Sequence, residues 1–403
     1  RVVVGPRSHP TANMMRSLLR RRAFSTAATS FSELEQTMWQ KSAATYADTF
    51  AKVTVQAADA LLDGAGVPRT NAALVKNVMT VSPAGFKIHN EAAKPAPRAP
   101  MPEGLALPDT TPFKVLDVAT GTGLIVEKAA ERGATEVIGV DTSQAMIDLC
   151  APVAAAYPGV ASFSIGDAEK LPVDDNSFDS VVLGFVLLHL PSPAKALSEA
   201  FRVCKPGGKV SFSVWQTPEK GNLAFKMILD AIAKHGDPNV QLPGAPLPFF
   251  HFADEQNAST ALAAAGFSAS SVEVATIPCV AALESSADLF HMFKGATART
   301  RALLEMQTAE QLKAIEEAMS IEVESAFTGA NYGGVPRATS WLPAVPGADA
   351  LLFDGRPTGR IYYQVPMPCV VASATKAAAV KKPPPAPEAP PKPASKPKAS
   401  KKE

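Results

Sequence analysis

A chain of 403 residues that is 46% hydrophobic, 7% aromatic and 19% charged is too long for one minimal domain and too ordinary in composition to be wholly disordered, which leaves one large domain with appendages. The formal net charge of +1 hides an asymmetry, because residues 1–24 hold six Arg and no acid while residues 376–403 hold eight Lys against Glu388 and Glu403, leaving about −11 for residues 25–375. A body this acidic is a poor match for nucleic acid, which is gripped by Lys and Arg that displace counterions, so any basic contact falls to the two ends.

The chain opens on Arg1, and a natural start is expected at Met14-Met15. From Met15 the Arg-rich, hydroxyl-rich, acid-free stretch through Phe24 has the composition of a mitochondrial transit peptide, and Arg22-Ala23-Phe24-Ser25 places a mature start near Ser25. Residues 33–66 read as an N-terminal lid helix, with Trp39, Tyr46, Phe50, Val53, Ala57, Leu61 and Leu62 near a 3.6-residue period and glycines at 64 and 66 as stops. Residues 67–112 hold eight prolines without a sustained period and read as an insertion.

From Phe113 short apolar strands alternate with amphipathic helices. Strands are expected at 113–119, 136–140, 161–165, 178–184 and 209–215, with helices at 124–132, 143–156 and 193–204. Strands joined by single helices imply right-handed parallel crossovers and a doubly wound α/β sheet over 113–375, carrying cap segments at 217–266 and 285–360. Within and beyond the caps the pattern predicts helices at 222–235, 254–265 and through 285–328, a strand at 270–278 and a last strand at 361–373. The Lys/Pro/Ala tail 376–403 has no means of burying a core. Cys150, Cys204, Cys279 and Cys369 lie more than 50 residues apart without a C-x-x-C pair, so neither a zinc ribbon nor a disulfide framework is expected, and no metal site is read. The longest near-apolar run, Val181 to Leu190, is about half the length of a bilayer span.

The chemistry concentrates at the C-terminal ends of the first three expected strands. Val115-Leu116-Asp117-Val118-Ala119-Thr120-Gly121-Thr122-Gly123 is a buried strand running into a glycine turn, where a ligand can approach the backbone. A nicotinamide or flavin site would want Gly or Ala where Val126 stands. Asp117, Asp141 and Asp167 converge on the same edge; three carboxylates there repel a pyrophosphate and suit a ligand with an amine, a sulfonium, a ribose diol and an adenine amine. S-adenosylmethionine carries all four of these groups and is the expected ligand.

These residues carry a resemblance. VLDVATGTG, GVDTSQAMIDL, GDAEKLPVDDNSFDSVVLGFVLLHLPSP and EAFRVCKPGGKVSFSVW resemble the class I S-adenosylmethionine-dependent methyltransferases, in the methyltransferase-11 group similar to the ubiquinone/menaquinone-biosynthesis C-methyltransferases. The resemblance implies a Rossmann-like sheet, mostly parallel with its last strand antiparallel. It places Gly121 and Gly123 along the methionine moiety with Asp117 near its amine, Asp141 on the ribose hydroxyls, and Asp167 and Ala168 at the adenine. Met146 and Ile147 begin a helix whose apolar face touches the ring, and Ala119 and Thr142 belong to the same set.

His189 follows the fourth strand, where this fold brings methyl group and acceptor together, and is read either as a base or as a positioning residue. His235 and His251 are weaker candidates; Phe249, Phe250 and Phe252 are read as a pocket wall or as core, and Arg299 and Arg301 as anion contacts or a solvated face. No Asn/Asp-Pro-Pro-Tyr/Phe motif follows the fourth strand, which disfavours exocyclic base amines. The reading is methyl transfer to a small-molecule acceptor in the mitochondrial matrix, at oxygen or carbon and on a quinone-like or phenolic ring. The alternative is a catalytically silent subunit or assembly factor of a large mitochondrial complex, docking through its tail or the 68–112 insertion.

Overall fold

A computed structural model describes residues 30–69, 112–327 and 363–378. The expected presequence, the body of the Pro-rich insertion, residues 331–360 of the second cap segment and nearly all of the Lys/Pro tail lie outside the described residues.

The central sheet has seven strands: β1 (Lys114–Val118), β2 (Glu136–Asp141), β3 (Ala161–Ile165), β4 (Phe178–Gly184), β5 (Cys204–Trp215), β6 (Glu273–Ile277) and β9 (Cys369–Thr375), in the order β3-β2-β1-β4-β5-β9-β6. The first five are parallel, and β9 runs antiparallel to both β5 and β6. Valines and leucines fill β1 and β4 without polar alternation because helices cover both faces of the sheet. Among those helices are α4 (Leu124–Glu131), α5 (Gln144–Leu149), α6 (Ala151–Ala156), α7 (Pro193–Val203) and α9 (Glu255–Ala265), while α8 (Leu223–His235) packs mainly on the helix over 309–327.

The N-terminal segment is not one helix. α1 (Phe31–Asp48) starts on a capping box, in which Glu33 N–H donates to Ser30 Oγ at 3.2 Å and Ser30 N–H donates to Glu33 Oε2 at 2.8 Å. It stops at Thr49, whose backbone leaves the helical region, and the chain resumes as α2 (Ala51–Thr54) and, after a 3₁₀ turn, α3 (Ala58–Gly64). The break lets Phe50 turn inward against Trp215 and Phe293, at ring separations of 5.8 and 5.6 Å. α3 then lies on β5 and β9, with Leu61 and Leu62 fully buried. Arg132, at the end of α4, pairs with Asp59 and Asp63 and locks α3 in place.

Three other expected elements are divided, each by local chemistry. The helix over 143–156 breaks at Cys150, because Pro152 in the first turn of α6 has no N–H to continue the ladder. The 285–328 region resolves into α10 (Asp288–Ala296), α11 (Arg299–Glu305) and α12 (Ala309–Phe327), since Thr297 adopts an extended conformation. The last strand splits at Pro366-Met367-Pro368: β8 (Tyr363–Pro366) pairs with β7 (Val280–Leu283) in a separate two-stranded sheet, and only β9 enters the main one. β7 itself is not expected from the sequence. All four cysteines are free and buried, and no described helix is long and apolar enough to cross a membrane.

Candidate active site

β1 delivers the chain into a turn in which Ala119, Gly121 and Gly123 have φ of 58°, 54° and 81°. Ala119 holds a conformation that glycine adopts freely and alanine does not. Asp117 anchors the turn from below, its Oδ2 accepting from Thr120 Oγ1 at 2.7 Å, and Thr120 N–H donates to Val140 O at 3.0 Å. Across the turn, Asp141 at the end of β2 accepts from Gly121 N–H on Oδ2 at 3.0 Å and from Ser143 N–H on Oδ1 at 2.9 Å. The N-cap of α5 is Ser143, whose hydroxyl accepts from Met146 N–H, so Asp141 is not occupied in capping. A carboxylate has about four acceptor positions, and two backbone bonds leave Asp141 capacity for a diol.

Above the turn lies a cavity of about 340 Å³. Ala119, Gly121, Asp141, Thr142, Met146, Asp167 and Ala168 line it around the turn, Tyr46 stands beside Gly121, and His189, Glu35, Trp39, Phe249 and Arg299, in contact with one another, line the rest. The expected cofactor residues therefore converge, with three exceptions. Asp117 is 1% exposed and does not reach the cavity, because its carboxylate is spent on Thr120 beneath the turn. Gly123 also stands outside, and its need for glycine is one of packing: a Cβ there would meet Phe163 at 3.0 Å and Cys150 Sγ at 3.3 Å. Ile147 does not line the cavity either. Asp167 is exposed, with Oδ1 accepting from Glu169 N–H at 2.9 Å, and Ala168 is buried beside it.

Of the weaker candidates, His235 and His251 are absent from the lining, and His251 packs its ring edge-on against Phe252. Phe249 is a wall, whereas Phe250 packs on Phe225 and Phe252 on Phe212. Arg299 lines the cavity; Arg301 instead bonds Glu305 and the Lys41 carbonyl of α1. Phe185 and Glu35 are among the lining residues that carry no expectation from sequence. Phe185, just after β4, has φ of 54°, a strained value for a bulky side chain that costs about 1–3 kcal/mol, and stacks on Trp215 at 4.3 Å. Glu35 is buried on the apolar face of α1 with Phe31, Leu34 and Met38. The signal that exposes it is an acid at a core position of the helical period.

Burial raises Asp117 to about 7, opposed by the Thr120 bond and reinforced by Asp141. Burial likewise raises Asp141, with the backbone N–H bonds of Ser143 and Gly121 opposing. The Tyr46 phenol, bonded to Thr54 Oγ1 at 3.0 Å, is pushed up to about 12 chiefly by burial, so at neutral pH it is a hydrogen-bonding partner and not a base. Asp117 gives a pH prediction. Unfolded, its carboxyl titrates near 3.8; folded, near 7, so between these values the folded state holds more protons and stability rises as pH falls from 7 toward 4. Asp117→Asn removes this titration, and its stability relative to the parent should be about 2–3 kcal/mol greater at pH 8 than at pH 5. Urea unfolding at the two pH values measures it, and parallel pH profiles would contradict the assignment.

Residues 116–212 match the methyltransferase domain family. The chain is 35% identical over 136 residues to an uncharacterized methyltransferase of Mycobacterium tuberculosis, covering 34% of this chain and 53% of that protein. It is 40% identical over 103 residues to the ubiquinone/menaquinone biosynthesis C-methyltransferase of Methylobacterium nodulans, covering 25% and 41% respectively. It thus spans about half the length, or less, of these curated relatives. Among solved structures it is similar to the YcgJ protein of Bacillus subtilis, at 17% identity and a TM-score of 0.38, over 66% of this chain and 92% of that one. The matched segment is a class I S-adenosylmethionine-dependent methyltransferase domain. It is of the type found in the ubiquinone/menaquinone C-methyltransferases.

The residues present fit that cofactor. The cavity side of Gly121 is open, the nearest atom to a Cβ there being Tyr46 Cε1 at 4.0 Å, so a ligand can lie along its backbone. Asp141 retains unused acceptor capacity at the same place, and the buried Met146 and Ala168 supply apolar surface suited to a flat ring.

Proposed function

We propose that the chain transfers a methyl group from S-adenosylmethionine to a small acceptor that reacts at oxygen or carbon, on a phenolic or quinone-like ring, in mitochondria. The observation that carries this reading is one continuous cavity with the Asp141 and Gly121 turn at one end and an aromatic chamber around His189 at the other. S-adenosylmethionine, when bound, supplies an electrophilic methyl group on a sulfonium. The chain supplies placement: Asp141 and Gly121 hold the donor, while Trp39, Phe185, Trp215 and Phe249 exclude water and present flat apolar walls to a planar acceptor. The ubiquinone/menaquinone relatives support a ring of this kind, and the Arg-rich, acid-free stretch before Ser25 supports mitochondrial import.

Calorimetry with S-adenosylmethionine, followed by transfer of labelled methyl into a mitochondrial small-molecule extract, tests the proposal. Binding and labelling are expected, and Gly121→Arg, which drives a long side chain into the open space above the turn, should abolish both while the protein still folds. Absence of cofactor binding by the parent chain would end the enzymatic reading, and binding without labelling would favour a non-catalytic subunit.

A further inference from the structure

The acceptor end of the cavity holds a buried charge cluster that the donor site does not use. Glu35, on α1, is 4% exposed. Its Oε2 lies 3.0 Å from His189 Nδ1, while its Oε1 has no hydrogen-bond partner and faces Arg299 Nη1 at 4.0 Å, itself unpartnered. Arg299 is shifted down by burial, with Glu35 opposing, and stacks over Phe31 at 5.2 Å. Taking a carboxylate out of water costs several kcal/mol even when it is paired, and an apolar residue would fit this helix face at no such cost. The arrangement therefore calls for a role beyond packing.

The geometry of the imidazole supplies one. An ionised carboxylate only accepts hydrogen bonds, so the Glu35 contact requires a proton on Nδ1 and, in the neutral ring, leaves the lone pair on Nε2. Among the described residues Nε2 has no hydrogen-bond partner. The ring is clamped in orientation by edge contacts with Trp39 at 5.0 Å and Phe249 at 6.1 Å, and it lines the cavity.

We propose that Glu35 is a positioning residue, which fixes His189 as the Nδ1–H tautomer with Nε2 presented to the acceptor as a free base. The proposal rests on the methyl-transfer reading. In the proton step the acceptor O–H bond breaks, its electron pair stays on oxygen, and the proton passes to Nε2. The resulting imidazolium faces Glu35 through Nδ1–H and later releases the proton to solvent. An amine acceptor would gain little from this device, since its lone pair is available without prior proton loss. A hydroxyl is a poor nucleophile until the proton leaves.

Nitrogen NMR of the full chain, uniformly labelled at histidine and assigned with His189→Asn, reads the tautomer directly. The parent ring should be at least about nine-tenths Nδ1–H, and Glu35→Leu should drop this below about half, because a neutral histidine ring without a fixed partner favours the proton on Nε2. A parent ring protonated on Nε2, or a tautomer unchanged in Glu35→Leu, overturns the proposal. The first outcome needs no variant and so does not depend on Glu35→Leu folding. Calorimetry with S-adenosylmethionine separates the two readings: affinity within about threefold of the parent shows that Glu35→Leu keeps its donor site, and no binding by the parent itself would sink the methyltransferase reading while the tautomer still decides the role of Glu35.

Discussion

His189→Ala should lower the rate of methyl transfer by about 10²- to 10⁴-fold and leave the affinity for S-adenosylmethionine nearly unchanged, the range expected when a general base is lost. The separation follows from the layout of the cavity. His189 belongs to the end shared with Glu35, Trp39 and Phe249, whereas the donor end is held by the β1 and β2 turns, with Asp141 bonded to backbone there and to no residue of the acceptor end. Tyr46, also in the lining, cannot replace it, because its phenol is held protonated well above neutral pH. Single-turnover transfer with labelled donor measures the rate, and calorimetry measures the affinity. A fall of less than about tenfold would assign His189 to placement alone.

Asp141→Ala is the second large effect. A charged, bidentate hydrogen bond to a diol is worth roughly 2–4 kcal/mol, so cofactor binding should weaken about 30- to 1000-fold. The structure adds a second cost, since the same carboxylate accepts the Gly121 and Ser143 N–H groups and thereby ties the first turn to the second. Losing it leaves both donors without their partner, at about 1–3 kcal/mol for each that water does not reach, and the unfolding midpoint should fall together with affinity. Calorimetry and thermal unfolding check the pair; an alanine variant that binds as tightly as the parent would remove Asp141 from the donor site.

Much of this arrangement is legible in the sequence for a specific reason. The first four strands are short, the inner ones β1 and β4 are nearly continuous buried apolar runs, and each of the four lies within a residue or two of its expected place. The Asp117, Asp141 and Asp167 spacing is equally readable, because strand ends in a parallel sheet fall on one edge. Hydrophobic runs do not reveal where hydrogen-bond ladders stop. Pro152 and Pro368 end or divide elements that look continuous by composition, and Thr49 breaks the lid helix so that Phe50 can enter the core. The β7 strand is invisible because four residues, two of them alanine, carry too little pattern. Asp117 and Gly123 show the remaining gap. A motif specifies that a carboxylate and a glycine are needed at a turn, and only the packing around Thr120 and Phe163 shows whether they face ligand or support the turn from behind.

The two ends of the cavity differ in how the chain builds them. The donor end comes from Ala119 to Ala168, a contiguous stretch whose strands are sequence neighbours, while the acceptor end needs Glu35, His189, Phe249 and Arg299 brought together from across the chain. Long-range contacts form late, because closing a large loop costs chain entropy before any packing offsets it. As the chain leaves the ribosome, the donor turn can therefore assemble first and the acceptor chamber only after α11 has emerged. The same division bears on descent. The segment shared with other methyltransferases, residues 116–212, contains the whole donor end but only part of the acceptor end, so Glu35, Phe249 and Arg299 can change with the acceptor while the machinery that holds the donor stays as it is.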